Sequence, residues 1–314
     1  MSSGKGFDKI VLVTRKTRLD GLVERFNTRA QAAFYIEHSG GDFNTYLAEH
    51  EQYQRSQETV RQIIEQEFAA LPLQMLERSL VPTYLFDQTD LVVTLGQDGL
   101  VANVAKYVGG QPIIAVNPDA ARFDGKLLPF GPSQLRPALE RTMSGLARLR
   151  AVSMAEARLN DGQRLLAFND LFIGASSHVS ARYCLRHKNT VENQSSSGII
   201  VSTGAGSSGW LSSVFNEAAG IISFLGGVPP PPVRMGWEEE RLFFVVREPF
   251  ASLSSQAALV VGAIEGDNRL QVESQMPSGG VIFSDGVEAD FLPFNSGTIA
   301  GIGLAVEKAN LVVA

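Results

Sequence analysis

The first part of the chain alternates short apolar runs with longer stretches of helical periodicity. Three β-branched apolar runs predict buried strands over Ile10–Thr14, Val92–Leu95 and Pro112–Asn117. Polar stretches with apolar residues at helical spacing predict helices over residues 19–37, 44–70 and 100–108. The turn Ser39-Gly40-Gly41-Asp42 separates the first two helices. Strands that alternate with helices indicate a parallel sheet with crossover helices.

Beyond about residue 150 the pattern changes to closely spaced apolar runs separated by Gly, Asn and Ser. These runs predict strands within residues 167–174, 180–186, 197–203, 242–247, 257–261, 270–273 and 281–284. Many short strands with turn residues between them indicate a mainly β second domain. We therefore divide the chain into domains 1–135 and 136–314, with the terminal run Leu311–Val313 as a candidate to return to the first domain.

The composition is that of an ordinary globular protein of 314 residues, long enough for two domains, with 44% hydrophobic and 19% charged residues. The net charge of −6 favours a small-molecule partner over nucleic acid. The single cysteine, Cys184, excludes an internal disulfide and a zinc site built on several thiolates. No apolar run reaches the roughly 20 residues of a membrane span, and the N-terminus lacks a leader pattern. We expect a cytoplasmic protein that contacts no membrane.

A carboxylate between two glycines follows the second predicted strand, since Asp98 stands in the stretch Gly96–Gly99. Glycines at the end of a strand let backbone N–H groups approach an anionic ligand. A carboxylate held there can take a proton from a hydroxyl or bind Mg²⁺. The stretch is therefore a candidate for phosphoryl transfer, although the same pattern is also common in surface turns.

The stretch Gly204–Gly209 matches the GxGxxG pattern and follows the apolar run Ile199–Ser202. A dinucleotide-binding βαβ unit would carry an acidic residue about 20 positions later. No Asp or Glu lies between Glu217 and Glu238, so this interpretation is disfavoured. We interpret the stretch as a Ser/Thr/Gly turn that admits a ligand closely and leads into a helix beginning at Trp210.

Together these motifs resemble those of the NAD kinase family in order and spacing across nearly the whole chain. The similar motifs are Gly96-Gln97-Asp98-Gly99-Leu100 (Gly-Gly-Asp-Gly-Thr in the family), the strand end at Asn117 (Gly-x-Asn), Asn169-Asp170 (Asn-Glu), the Ser/Thr-rich turn Ser202–Trp210 and the late Ser284-Asp285-Gly286. Further segments resemble the branch typified by the mitochondrial NAD kinases of animals: Val13–Arg18, Val116–Asp119, Phe172–Gly174, Ser196–Gly198, Thr203–Ser207 and Arg247–Pro249.

The resemblance implies an α/β N-terminal domain with a parallel sheet plus a β-rich C-terminal domain, with the active site between them. It implies ATP as phosphate donor, NAD as acceptor, Mg²⁺ with unknown protein ligands, and a homodimer or homotetramer. Asp98 would be catalytic, activating the 2′-hydroxyl of the adenosine ribose of NAD or organising Mg²⁺. The other residues implied to bind the nucleotides are Gly96, Gly99, Asn117, Asn169, Asp170, Thr203, Gly204, Ser207, Ser208 and Trp210.

Three positions depart from the family pattern. Gln97 replaces a glycine, and its side chain would obstruct close backbone approach or forbid a positive φ unless the loop is arranged differently. Leu100 replaces a threonine hydroxyl, and Asp170 is one methylene shorter than glutamate. Two alternatives therefore stay open: a kinase with another hydroxyl acceptor, and a non-catalytic sensor of NAD or NADP. The choices between ATP and polyphosphate and between NAD and NADH also stay open.

Overall fold

A computed structural model of the chain describes residues 6–314. The first five residues, on which part of the expectation about a leader rests, lie outside the described residues. The chain forms two compact units: one runs to Arg150 and includes Asn310–Ala314, and the other comprises Ala151–Ala309. Each unit has its own hydrophobic core.

The first unit combines helices with a parallel sheet. Its elements in chain order are β1 (Lys9–Thr14), α1 (Arg18–Phe26), α2 (Arg29–His38), α3 (Phe43–Glu67), β2 (Leu73–Glu77), β3 (Asp90–Leu95), α4 (Asp98–Ala105), β4 (Pro112–Val116) and α5 (Leu135–Met143). The strands pair in the order β2-β1-β3-β4, and every pair is parallel. The β-branched runs of β1 and β3 are almost entirely buried, as expected for central strands covered on both faces.

Two parts of the first unit differ from the sequence prediction. The single helix predicted over residues 19–37 is two helices, because Asn27 adopts a left-handed conformation with φ 67° and Thr28 caps the start of α2. Strand β2 has no matching prediction, because its five residues lie at the edge of the sheet and are mostly half-buried or exposed.

Helix α5 belongs to the first unit, although the sequence places the domain boundary at residue 135. Leu135, Ala138 and Leu139 pack in the core of this unit, which holds the helix there. Val312, from the terminal apolar run, is buried in the same core.

The second unit is built mainly from β-strands. Its elements are β5 (Leu149–Leu159), β6 (Arg164–Ala167), β7 (Asp170–Ala175), β8 (Ala181–His187), β9 (Thr190–Ser196), β10 (Ile199–Ser202), α6 (Trp210–Phe224), β11 (Arg241–Val246), β12 (Val261–Glu265), β13 (Leu270–Ser274), β14 (Gly280–Ser284), β15 (Val287–Pro293) and β16 (Ile299–Val312).

Two sets of strands make up this unit. One is a six-stranded antiparallel sheet in the order β12-β11-β10-β7-β14-β15. In the other, β16, β13, β8 and β9 are neighbours, and β5 pairs with both β16 and β6. The core contains side chains from both sets, including Leu171, Tyr183, Phe244 and Ile282, all fully buried. The last residues of β16, Asn310 and Leu311, pair with β4 and count with the first unit.

The structure corrects several strand predictions for the second unit, and strands β5, β15 and most of β16 have no matching prediction. The strand predicted over residues 257–261 is wrong, because regular pairing begins at Val261 in β12. The run 167–174 is divided between β6 and β7 by a turn at Phe168-Asn169. Strand β9 was not predicted from the hydrophobic pattern, because the side chains that it buries include the polar Glu192 and Gln194.

The α/β first unit and the β-rich second unit confirm the predicted fold class. The tetraproline at residues 229–232 is exposed and has no regular structure. Among the described residues, no helix has both the length and the apolar character needed to cross a membrane.

Candidate functional site

The Gly96–Leu100 turn joins strand β3 to helix α4 in the first unit. A Cβ atom on Gly96 would lie 2.7 Å from Cδ2 of Leu100, so the glycine is needed for packing. Leu100 is itself buried, which explains an apolar residue where the family has threonine. Gln97 has φ −99° and ψ 169°, an extended conformation open to any residue. The loop is therefore arranged without a positive φ at Gln97, so the backbone conformation does not require a glycine there.

Asp98 is the first residue of α4, and its carboxylate is oriented by a neighbouring loop. One oxygen accepts a hydrogen bond from the backbone N–H of Leu127 at 2.9 Å, and the other accepts from Lys126 at 3.2 Å. These bonds fix the carboxylate at the carboxyl end of a parallel strand, where open parallel sheets commonly bind ligands. Gly99 has no neighbour within 4 Å of an added Cβ, so no packing requirement explains this glycine.

Asn117 follows strand β4 and organises the loop that leads to Lys126. Its side-chain amide donates to the carbonyl of Phe123 at 3.0 Å, and its Oδ1 accepts from the N–H of Asp119 at 3.0 Å. Gly125, with φ 59°, would place a Cβ 2.8 Å from the Asn117 amide nitrogen. Asn117 is buried and used within its own loop, so its direct role here is to shape the loop that contacts Asp98.

The Asn169-Asp170 pair lies in the turn between β6 and β7 in the second unit. Thr203 lies against the carbonyl side of this turn: its backbone N–H donates to the Asn169 carbonyl at 2.9 Å, and its hydroxyl donates to the Phe168 carbonyl at 2.6 Å. Asn169 and Asp170 are both half-buried, whereas Thr203 is fully buried. The structure thus gathers three predicted binding residues, with Thr203 supporting the turn that carries the other two.

The Ser/Thr/Gly turn after β10 approaches neighbouring backbone very closely. A Cβ on Gly204 would lie 1.9 Å from the carbonyl oxygen of Gly236, and one on Gly206 would lie 2.1 Å from that of Asn169. The Ser207 hydroxyl donates to the Gly204 carbonyl at 2.7 Å. Ser208 is exposed at the surface of the turn. The glycines and Ser207 therefore have packing roles, and Ser208 is the hydroxyl of this turn that stays open to a ligand.

Asp285 lies against the amide side of the Asn169-Asp170 turn. Its carboxylate oxygens accept hydrogen bonds from three consecutive backbone N–H groups, those of Phe168 at 3.1 Å, Asn169 at 2.6 Å and Asp170 at 3.3 Å. Burial, followed by the charge of Asp285, raises the pKa of the Asp170 carboxyl to about 7. Asp170 can therefore hold or release a proton near neutral pH, whereas the sequence suggests a simple hydrogen-bond acceptor.

A cavity of about 890 Å³ in the second unit has an aromatic wall beside the Ser/Thr/Gly turn. Trp210 and Phe172 are stacked with centroids 5.8 Å apart, and Phe283 lies 4.9 Å from Phe172. The Arg247 guanidinium lies 5.4 Å from the Trp210 ring. Such a wall offers stacking faces and one cation, which suits an aromatic base bearing anionic groups.

Sequence reasoning predicted only Trp210 among these cavity residues. Phe172 and Arg247 begin two of the segments that resemble the family, which was the available signal, whereas Phe283 lies in a strand where an aromatic residue is not distinctive. Asp285 was noted as part of a motif but not as a site residue, and its position in an Asp-Gly turn was the available signal.

Within the described residues, no group of three or more His, Cys, Asp or Glu side chains is arranged to hold a metal ion. The Asp98 carboxylate is a single potential ligand, with each oxygen bonded to one N–H. Magnesium in nucleotide sites is commonly held by one or two carboxylates together with the phosphates. The residues present therefore fit a metal carried with a nucleotide better than a dedicated protein site.

Comparison with curated proteins finds distant similarity to NAD kinases, while no protein-family model matches the chain. The NAD kinase of Caldanaerobacter subterraneus is 31% identical over 134 residues, which cover 40% of this chain and 46% of that protein. The NAD kinase of Heliobacterium modesticaldum is 34% identical over 134 residues, covering 39% and 45%. The chain thus matches less than half of the length of these relatives.

Two solved structures resemble the whole chain. The structure of yeast NADH kinase complexed with NADH has a TM-score of 0.58 at 16% identity and covers 98% of this chain and 83% of its own. An NAD kinase from Archaeoglobus fulgidus in complex with ATP has a TM-score of 0.52 at 15% identity, covering 96% and 93%. At this identity the likeness concerns the fold. The chain therefore has an NAD kinase-like fold and distant sequence similarity to NAD kinases.

Proposed function

We propose that the chain is an NAD kinase that transfers the γ-phosphoryl group of ATP to the 2′-hydroxyl of the adenosine ribose of NAD. Asp98 takes the proton of that hydroxyl as its oxygen bonds to the γ-phosphorus. The bond from the γ-phosphorus to the oxygen shared with the β-phosphate breaks, and ADP leaves with that electron pair. Few reactive side chains are needed, because phosphoryl transfer depends mostly on positioning and charge stabilisation.

The observation that carries the proposal is the position of Asp98 in an NAD kinase-like fold. Its carboxylate stands on the first residue of α4, directly after a buried parallel strand, and two backbone N–H groups orient it. The resemblance assigns the catalytic role to the carboxylate of this motif. Gly99 beside it has open space around its Cα, which leaves room for a phosphate to approach the backbone.

The second unit would bind NAD through the turn and the cavity described above. Asn169 can both donate and accept hydrogen bonds with ribose hydroxyls. Asp170 accepts them when its carboxyl is ionised and can also donate when it is protonated. Ser208 adds an exposed hydroxyl, and Trp210 offers a stacking face for a base. Thr203 and Gly204 would act indirectly, by holding the shape of the turn.

Mg²⁺ would accompany ATP, and the Asp98 carboxylate would share it with the phosphates. A bound magnesium ion neutralises phosphate charge as the transferred group moves. The chain itself contributes the fixed direction of the Asp98 carboxylate, which the backbone N–H groups of Lys126 and Leu127 hold.

The departures at Gln97 and Leu100 are the two reasons to consider a non-catalytic sensor, and the local geometry weakens both. Gln97 occupies an ordinary extended conformation, and Leu100 fills the core beneath the turn. Neither departure distorts the backbone that would approach a phosphate. The shorter Asp170 leaves a kinase with another hydroxyl acceptor as the second candidate.

The acceptor is tested by incubating the purified chain with ATP, Mg²⁺ and one acceptor at a time, using NAD, NADH, nucleosides, sugars and polyols. The proposal predicts that NAD gives the highest kcat/KM and that the product is NADP. A better acceptor than NAD would overturn it in favour of the second candidate. Replacing ATP by polyphosphate in the same assay identifies the donor.

A further inference from the structure

Asp285 stands in a tight Asp-Gly turn that connects strands β14 and β15. It has φ 54° and Gly286 has φ 68°, so two consecutive residues have positive φ, as in the common two-residue hairpin turns. Aspartate is one of the residues that tolerate this conformation. The turn alone explains an aspartate here, but it does not explain where the side chain is directed.

The Asp285 side chain reaches a segment 115–117 residues earlier in the chain and accepts the three consecutive N–H groups of residues 168–170. The backbone N–H of Asp285 also donates to the Asp170 carbonyl at 3.0 Å. Hydrogen bonds to an ionised carboxylate are shorter and stronger than those between neutral groups. Asp285 therefore holds the 168–170 backbone through four hydrogen bonds, three of them to its carboxylate.

The same segment is held from the carbonyl side. The hydroxyl of Thr203 donates to the carbonyls of Phe168 and Asn169 at 2.6 and 3.1 Å. Gly206 approaches so closely that an added Cβ would lie 2.1 Å from the Asn169 carbonyl oxygen. With both its N–H and its carbonyl groups held, this backbone sets the directions in which the Asn169 and Asp170 side chains leave it.

We propose that Asp285 is a positioning residue for NAD: by binding three consecutive backbone N–H groups, it fixes the side chains of Asn169 and Asp170 for the ribose hydroxyls. Asp285 acts through those two residues and has no contact of its own with NAD. The inference rests on the proposed NAD kinase function. It assigns to the late Asp-Gly motif a role in acceptor binding and none in binding ATP.

The variant Asp285→Asn tests this with little change in volume, and asparagine also tolerates the positive φ. It replaces one acceptor oxygen by an NH₂ donor that faces backbone N–H groups and removes the charge from the remaining bonds. We expect the KM for NAD to rise about tenfold or more, the usual scale for losing a charge-assisted bond. The KM for ATP should stay within about twofold, and the melting temperature should show that the variant is folded.

Asp161→Asn is the matched control. Asp161 also accepts a backbone N–H in a tight turn of the second unit, that of Gln163 at 3.0 Å, but it is exposed. The same chemical change there should leave both KM values unchanged. If Asp285→Asn does not fold, Asp285→Gly serves as the second variant, because glycine tolerates the positive φ and adds no amide donor.

An unchanged KM for NAD in a folded Asp285 variant would overturn the inference. Equal increases in both KM values, or failure of both variants to fold, would also overturn it, since Asp285 would then only maintain the fold. If the wild type binds NAD but makes no NADP, the kinase proposal fails alone. Calorimetric titration with NAD then decides on Asp285: tenfold weaker binding supports positioning, and equal affinity contradicts it. A wild type that binds no NAD would contradict both proposals.

Discussion

At the scale of single residues, the structure separates side chains used by the fold from those open to chemistry. Gly96, Gly204 and Asn117 are explained by packing and by loop hydrogen bonds. The carboxylate of Asp98 is oriented by backbone N–H groups, and the backbone N–H of Asp170 is bonded to Asp285. The motifs indicate candidate site residues, but their spacing could not distinguish a glycine that admits a ligand from one that admits a neighbouring carbonyl.

The raised pKa of Asp170 predicts a pH dependence of stability. Its carboxyl has an ordinary pKa of 3.8 when unfolded and about 7 when folded, so the folded state binds more protons between these values and loses stability as pH rises through them. Asp170→Asn removes this loss. The stability of the variant relative to wild type should increase by more than about 1 kcal/mol between pH 4 and pH 8.

Urea unfolding at several pH values measures this difference. Asp161→Asn is a control of opposite sign, because a hydrogen bond from the Gln163 backbone N–H lowers the pKa of Asp161. Its relative stability should fall as pH rises. A pH-independent difference for Asp170→Asn would show that the carboxyl titrates normally.

The conformation of Gln97 gives a second prediction at this scale. Since its φ is −99°, glycine relieves no strain, and because glycine is well tolerated at a helix N-cap, Gln97→Gly should change the stability by less than about 1 kcal/mol. NADP formation should be equal to or below that of the wild type. A clear gain of activity would mean that the Gln97 side chain obstructs the donor site.

At the scale of elements, strongly periodic segments were predictable and polar or divided ones were not. The β-branched strands β1, β3 and β4 matched their sequence signal, because buried parallel strands are almost purely apolar. Strand β9 buries polar side chains that find partners only in the folded unit, such as Gln194 with the Leu259 carbonyl. The division of residues 19–37 depends on one left-handed residue, Asn27, which periodicity does not reveal.

The turn before α6 gives a prediction about element packing. Gly204→Ala would place a Cβ 1.9 Å from the backbone oxygen of Gly236, so the backbone of one of the two segments must shift. We expect a loss of about 3 kcal/mol or more, at or above the usual cost of overpacking. Gly220→Ala within α6 meets nothing within 4 Å and should stabilise by about 0.5–1 kcal/mol. Chemical denaturation compares the two, and similar effects would contradict the packing described for this turn.

At the scale of the whole molecule, the change in the pattern of apolar runs near residue 150 predicted an α/β unit and a β-rich unit, and both are present. The boundary between the units was less predictable. The sequence of α5 does not indicate which of the two cores the helix packs in, and the terminal run lies in the first unit through tertiary contacts. The expected homodimer or homotetramer stays a prediction, which light scattering of the purified chain can test.

The proposed phosphorylation of NAD depends on the carboxylate of Asp98. The most direct test incubates the wild type and Asp98→Asn with NAD, ATP and Mg²⁺ and measures NADP by chromatography. Asparagine keeps one acceptor for the N–H groups of Lys126 and Leu127 but cannot take the ribose proton. We expect NADP from the wild type and at least a 100-fold lower rate from a folded Asp98→Asn, about the smallest effect expected for a general base. Comparable NADP formation by both proteins would contradict this expectation.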